Sequence, residues 1–259
     1  MQIYAVPVLD DNYVWIIEGD NRQCAIVDLG EAEPVIAAIA SRGLVPKAIL
    51  LTHHHGDHTA GIQAFLSHYP VPVIGPATEA QTWVTDPKRD GDTFTVPGVG
   101  EFRVLTSPGH TLGHIVFVTE GAAFTGDTLF SAGCGRLFEG TAAQMLHSLD
   151  RIAALPDDTL IYCGHEYTAD SLRFAQHAEP DDQNIRSRAA EVAHVRQDGR
   201  PTVPTTLALE KKTNPFLRVR EPSLREAITH HAGASSITDE EAFGIVRRWK
   251  DDFDGLKPL

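Results

Sequence analysis

Two kinds of hydrophobic pattern divide this chain. Up to about residue 168 the apolar positions fall in short runs bounded by glycine and polar residues. Tyr13-Val14-Trp15-Ile16-Ile17 and Cys24-Ala25-Ile26-Val27 have the length and the β-branched and aromatic content of strands, and Gly19-Asp20-Asn21 between them predicts a turn. Pro34 then suits the first turn of a helix carrying Val35, Ile36 and Ile39, with Gly43 as its stop. Ala48-Ile49-Leu50-Leu51 is a continuous apolar run of the kind that forms a strand buried on both faces. Further strands are predicted at Phe102–Thr106, Ala123–Thr125 and Leu160–Cys163. Beyond residue 168 the period changes. Ala169–Glu179 and Asp182–Asp198 are polar with helical spacing, and Thr238-Asp239-Glu240-Glu241 has the form of a capping box that opens a last helix. The pattern predicts an α+β domain over residues 1–168 and a helical appendage over 169–259, packed against it rather than folding alone.

The strand ends carry the chemistry. The run Ala48–Leu51 leads into Thr52-His53-His54-His55-Gly56-Asp57-His58, in which His53, His55, Asp57 and His58 form H-x-H-x-D-H. On an extended backbone His53 and His55 point to the same side, and Asp57 and His58 come round in the turn that follows. Three later strands end the same way, at Gly109-His110, Gly126-Asp127 and Gly164-His165. A histidine-rich surface loop would account for the first cluster but not for this recurrence. Strand ends line up donors on one rim of a sheet, and glycine allows the backbone to turn closely beside them. Imidazole and carboxylate donors suit zinc, iron or manganese, and a pair of such ions is suited to activating water for hydrolysis.

Composition narrows the classes further. With 259 residues, 42% of them hydrophobic and 22% charged, the chain has the profile of a folded globular protein. A net charge of −13 argues against general affinity for nucleic acid or anionic lipid, so an anionic substrate would need local cations. No apolar run approaches the roughly 20 residues that span a bilayer, and the first residues lack a signal-peptide pattern. Cys24, Cys134 and Cys163 are odd in number and widely spaced, which speaks against a disulfide framework and for a reducing, cytoplasmic setting.

H-x-H-x-D-H followed by the three glycine-preceded donors resembles the metallo-β-lactamase superfamily, which implies an αββα sandwich. Within it the chain resembles glyoxalase II, the hydroxyacylglutathione hydrolases. That closer likeness rests on Gly133-Cys134-Gly135-Arg136-Leu137-Phe138-Glu139-Gly140-Thr141 and Gly164-His165-Glu166-Tyr167-Thr168. It also rests on Lys212-Thr213-Asn214-Pro215-Phe216-Leu217-Arg218 and on Arg247-Arg248-Trp249-Lys250-Asp251-Asp252-Phe253. The resemblance implies that His53, His55 and His110 hold one divalent cation and Asp57, His58 and His165 a second. Asp127 then bridges the two, together with a water or hydroxide that Asp57 orients. It implies glutathione contacts from Arg136, Tyr167, Arg247 and Lys250. Phe138 departs from the family, where a tyrosine often supplies a hydroxyl. His114 is a candidate to support the ligands, and His54 is expected to bond outside them.

The implied reaction is hydrolysis of S-(2-hydroxyacyl)glutathione, with S-D-lactoylglutathione as substrate and glutathione and D-lactate as products, by a monomer acting in methylglyoxal detoxification. The rivals are a persulfide dioxygenase of the same superfamily, which would use one iron, and a non-catalytic metal-binding protein. All seven donors and the terminal basic pair favour the hydrolase.

Overall fold

The structure, a computed structural model, describes residues 1–79 and 81–255. Two β-sheets form its centre. The first takes its strands in chain order: β1 (Gln2–Val8), β2 (Asn12–Glu18), β3 (Gln23–Val27), β4 (Val45–Leu50), β5 (Val73–Pro76) and β6 (Asp86–Lys88). The strands from β1 to β3 pair antiparallel, and those from β3 to β6 pair parallel. The second sheet contains β7 (Thr93–Val96), β8 (Gly100–Thr106), β9 (Ile115–Thr119) and β10 (Ala122–Gly126). A small ribbon, β11 (Leu129–Phe130) with β12 (Gly133–Cys134), follows. Then β13 (Leu160–Cys163) lies parallel to β10, and β14 (Thr205–Thr206) closes the edge against β13.

Alternation along the strands explains the layers. Tyr13, Trp15 and Ile17 face the gap between the sheets, where they meet Phe102, Val104, Phe117 and Phe124. Val14 and Ile16 point the other way, into a core with Val35, Ile39, Ile62 and Phe65. Those side chains come from α1 (Ala32–Arg42) and α3 (Ile62–His68), which flank the short α2 (Gly56–Thr59). Gly43 ends α1 in the left-handed region at φ +62°, as its place in the sequence predicts.

The outer face of the second sheet is covered by α4 (Ala142–Ala153) and by the later helices. These are α5 (Thr168–Ala178), α6 (Gln183–Gln197), α7 (Leu207–Thr213), α8 (Pro222–Ala232) and α9 (Asp239–Gly255). Phe174, Phe216, Phe243 and Val246 enter one core with Leu105, Val116, Ala123, Met145 and Leu149. Helix, sheet, sheet, helix is the αββα order, and α+β is the fold class that the sequence pattern indicates. The capping box opens α9: Thr238 N donates to Glu241 Oε2 at 2.7 Å, and Glu241 N donates to Thr238 Oγ1 at 3.2 Å. No helix among the described residues is long and apolar enough to cross a membrane.

Candidate metal centre and substrate cavity

The segment after β4 stays extended through His55 (φ −61°, ψ 147°) and then coils into α2, so His53 and His55 share a side while Asp57 and His58 open the helix. His110 arrives on the loop between β8 and β9, Asp127 directly after β10, and His165 two residues after β13. The two sheets bring all seven together. His55 Nδ1 lies 3.1 Å from His53 Nε2 and 2.9 Å from His110 Nε2. Beside this triad, His58 Nε2 lies 3.3 Å from His165 Nε2, and Asp57 Oδ2 lies 3.4 Å from both. Asp127 touches each group: Oδ2 is 3.4 Å from His110 Nε2 and 3.3 Å from His165 Nε2, while Oδ1 is 3.3 Å from His58 Nε2.

These donors fit divalent cations on two counts. Donors at 2.0–2.1 Å around a tetrahedral ion stand about 3.3–3.4 Å apart, close to the spacings found here. Asp127 Oδ1 is also buried without a hydrogen-bond partner, an arrangement that is costly unless something else satisfies the oxygen. Two clusters of three donors, joined by one carboxylate, have the form of a binuclear metal site.

The outer nitrogens of four of the five imidazoles are held as metal-binding histidines require. His53 Nδ1 meets Thr52 Oγ1 at 3.0 Å, His58 Nδ1 meets Asp28 Oδ2 at 3.0 Å, His110 Nδ1 donates to Arg136 O at 2.9 Å, and His165 Nδ1 meets Asp11 Oδ1 at 2.7 Å. Burial holds His53 and His110 below the usual imidazole range, toward the neutral form that donates a lone pair. Burial opposes charge on Asp127 as well. The imidazoles of His165 and His58 outweigh it and hold the carboxyl well below its ordinary value.

Asp28, Asp11, Asn12 and Glu139 also belong to the site, beyond the seven donors. Asp28 sits in the left-handed region at φ +55°, a strained conformation for a residue with a side chain. Its carboxylate accepts from Thr52 N and Thr52 Oγ1, both at 2.8 Å, besides facing His58. Asn12 Nδ2 donates to Asp57 Oδ2 at 2.9 Å. Glu139 ties three loops: Oε1 meets His54 Nε2 at 2.8 Å, and Oε2 accepts from Leu112 N at 2.8 Å. His54 thus bonds outside the donor set, as expected. His114 is fully buried, stacks on His53 at 4.8 Å, and accepts the Asp127 N–H on Nε2 at 3.1 Å. It supports the centre. One rule would have found Asp28 too: it follows β3, just as the recognised donors follow their strands.

Glycine is needed where backbone passes the donors. Gly126 takes φ +46° to aim Asp127, and a Cβ on Gly164 would stand 2.6 Å from Asp127 Oδ1.

The donors open into a cavity of about 480 Å³, whose lining includes His55, Asp57, His110, Asp127 and His165 together with Arg136, Phe138, Tyr167, Arg247 and Lys250. Tyr167 stacks on His165 at 4.6 Å, and burial pushes its phenol up to about 12, so it remains a hydrogen-bond donor. Phe138 is exposed and packs edgewise against His55 and His110. Arg247 and Lys250, one turn apart on α9, are both buried instead of forming a solvated helix face. Arg247 Nη1 donates to Cys134 O at 2.8 Å, and its guanidinium lies over Phe216. Cys134 and Cys163 are buried, and burial raises both thiols, to about 11 and about 12. Neither joins the donor clusters.

Fold and centre define a metallo-β-lactamase superfamily protein, and the model of that superfamily matches residues 8–165. The model of the hydroxyacylglutathione hydrolase C-terminus matches residues 166–253. The chain is 50% identical over 252 residues to a hydroxyacylglutathione hydrolase of Alkalilimnicola ehrlichii, covering 96% of this chain and 98% of that one. It is 46% identical to a hydroxyacylglutathione hydrolase of Photobacterium profundum, covering 98% and 100%. Among solved structures, ETHE1 from Myxococcus xanthus superposes with a TM-score of 0.65 at 25% identity, over 96% of this chain and 98% of that one. The chain belongs to the hydroxyacylglutathione hydrolase family.

Proposed function

We propose that the protein hydrolyses the thioester of S-(2-hydroxyacyl)glutathione, with S-D-lactoylglutathione as the substrate and glutathione and D-lactate as products, as the second step of methylglyoxal detoxification. The observation that carries this reading is one cavity whose lining combines donors of both triads with Arg136, Tyr167, Arg247 and Lys250. In this reading His53, His55 and His110 hold one cation, Asp57, His58 and His165 the other, and Asp127 bridges them. Zinc is the expected metal, and iron or manganese suits the same donors. A bound pair of divalent ions supplies an acidified water and polarises the thioester carbonyl.

The chain's own groups do the rest. Asp57, steadied by Asn12, orients the attacking water by accepting one of its O–H bonds. Tyr167 donates its hydroxyl to the glutathione moiety, and Arg136, Arg247 and Lys250 receive its carboxylates. Phe138 supplies an apolar edge at the mouth and forgoes a tyrosine's hydrogen bond, worth about 0.5–1.5 kcal/mol net. Glutathione leaves as a thiolate, and a thiol pKa of about 8.5 removes the need for a dedicated general acid. A dioxygenase with one iron would leave the triad of Asp57, His58 and His165 without a role.

Residues 1–168 act as the catalytic domain and 169–259 as the glutathione-binding region. In this reading the protein works as a cytoplasmic monomer, and its net charge of −13 speaks against nucleic-acid or anionic-membrane partners. Steady-state hydrolysis of S-D-lactoylglutathione, compared with that of a simple thiol ester of the same acid, tests the assignment. Strong preference for the glutathione ester is expected, and equal turnover of both would refute it.

A further inference from the structure

Each cation in the cavity faces an acid from α9. Lys250 Nζ donates to both carboxylate oxygens of Asp254, at 2.7 and 2.5 Å. Arg247 Nη2 donates to Asp251 Oδ1 at 3.0 Å. Arg136 reaches both acids, with Nε 3.4 Å from Asp251 Oδ1 and Nη2 4.0 Å from Asp254 Oδ2. The pairs Arg247 with Asp251 and Lys250 with Asp254 are four residues apart, which places each acid one turn beyond its cation. Asp254 itself lines the cavity beside Lys250.

We propose that Asp254, helped by Asp251, is a built-in counter-ion that competes with the substrate's carboxylates for Lys250 and Arg136, and so weakens binding of the glutathione moiety. The inference rests on the glutathione-thioester reading above. A buried cation is costly without a partner. Lys250 and Arg247 are 7% and 4% exposed, so an empty cavity needs an anion beside each of them. An incoming carboxylate must displace that anion or share its cation. The opposite role, Asp254 as receptor for the substrate's ammonium group, fits poorly. Both of its oxygens already face Lys250, with Arg136 on the same side, so an ammonium would enter among cations.

The test uses the full-length, metal-loaded enzyme and its Asp254→Asn and Asp251→Asn variants. Removing the competitor is expected to lower the KM for S-D-lactoylglutathione by about two- to five-fold with kcat unchanged. The Kd for S-methylglutathione, which binds without reacting, is expected to fall by the same factor. A fold defect does not tighten binding, so the direction separates competition from a merely structural role. Asp251, whose side chain is 39% exposed, provides the variant least prone to misfold. A Kd that is unchanged or weaker in both variants overturns the proposal. If the wild-type enzyme fails to turn over the thioester, the functional reading fails, and the S-methylglutathione Kd still decides the counter-ion.

Discussion

Asp127 is the residue on which the centre turns, because its two oxygens face both histidine clusters and one of them has no other partner. Asp127→Ala is expected to abolish hydrolysis together with bound metal. Elemental analysis and an activity assay on one sample check this, and a fully active, metal-depleted variant would contradict it. Asp28 works at one remove, through His58 and Thr52. Loss of such a partner typically costs about 10–100-fold in metal affinity, so Asp28→Asn should show that loss in a competition titration with a chelator. Lys250→Ala should raise KM and leave kcat nearly unchanged, the signature of lost uniform binding. At this scale the donors were legible because spacing alone brings His53, His55, Asp57 and His58 together, and because each remaining donor follows a strand. Asp11, Asn12 and Glu139 were not. Asp11 and Glu139 lie on loops and Asn12 opens β2, so only the tertiary fold delivers them to the site, and single polar residues of this kind are common on any surface.

Among the elements, the β11–β12 ribbon explains the Lys212-Thr213-Asn214-Pro215 motif. Asn214 Nδ2 donates to Phe130 O at 3.1 Å and Gly133 O at 3.0 Å, while the buried Glu210 accepts from Ala132 N at 2.7 Å and Ser131 Oγ at 3.1 Å. The end of α7 therefore clamps the ribbon that leads to Arg136. Asn214→Ala would remove two hydrogen bonds to the ribbon's carbonyls, at a net cost of about 0.5–1.5 kcal/mol each, visible as a lower denaturant midpoint. A second clasp ties β8 to α4 through Asp90, which accepts from Thr106 N and Arg151 Nη2, both at 2.8 Å. Burial acts to raise the Asp90 carboxyl, but these bonds outweigh it and hold the group below its ordinary value of 3.8. A depressed folded pKa means that the clasp's stabilisation is present above pH 3.8 and is lost as pH falls through the folded value. Asp90→Asn should thus lower the stability of the metal-stripped protein at pH 7, by less than about 1 kcal/mol at so exposed a site. The difference should vanish in strong acid. Strands β2, β3, β4, β8, β10 and β13 and helix α1 were readable from apolar runs and stop signals, while β1 and β9 were not among the predicted strands. Strand β6, Asp-Pro-Lys, was not, since it carries no apolar period and pairs only at the sheet edge.

For the whole molecule, the appendage is structural cover as well as the proposed glutathione contact. Phe174, Phe216 and Phe243 seal the outer face of the second sheet, and β14 completes its edge. A chain ending at residue 168 should therefore lose cooperative unfolding rather than persist as an active fragment, which a thermal melt monitored by circular dichroism would show. Sequence pattern alone indicated helices here but not how much of the core they complete, because their apolar residues come in short groups between polar stretches. The central claim is a reaction that needs both donor triads filled. Stepwise addition of zinc to the metal-stripped enzyme, with hydrolysis of S-D-lactoylglutathione measured at each step, tests it most directly. Activity is expected to reach its plateau at two equivalents per chain. Full activity with none, or with a single equivalent, would contradict it.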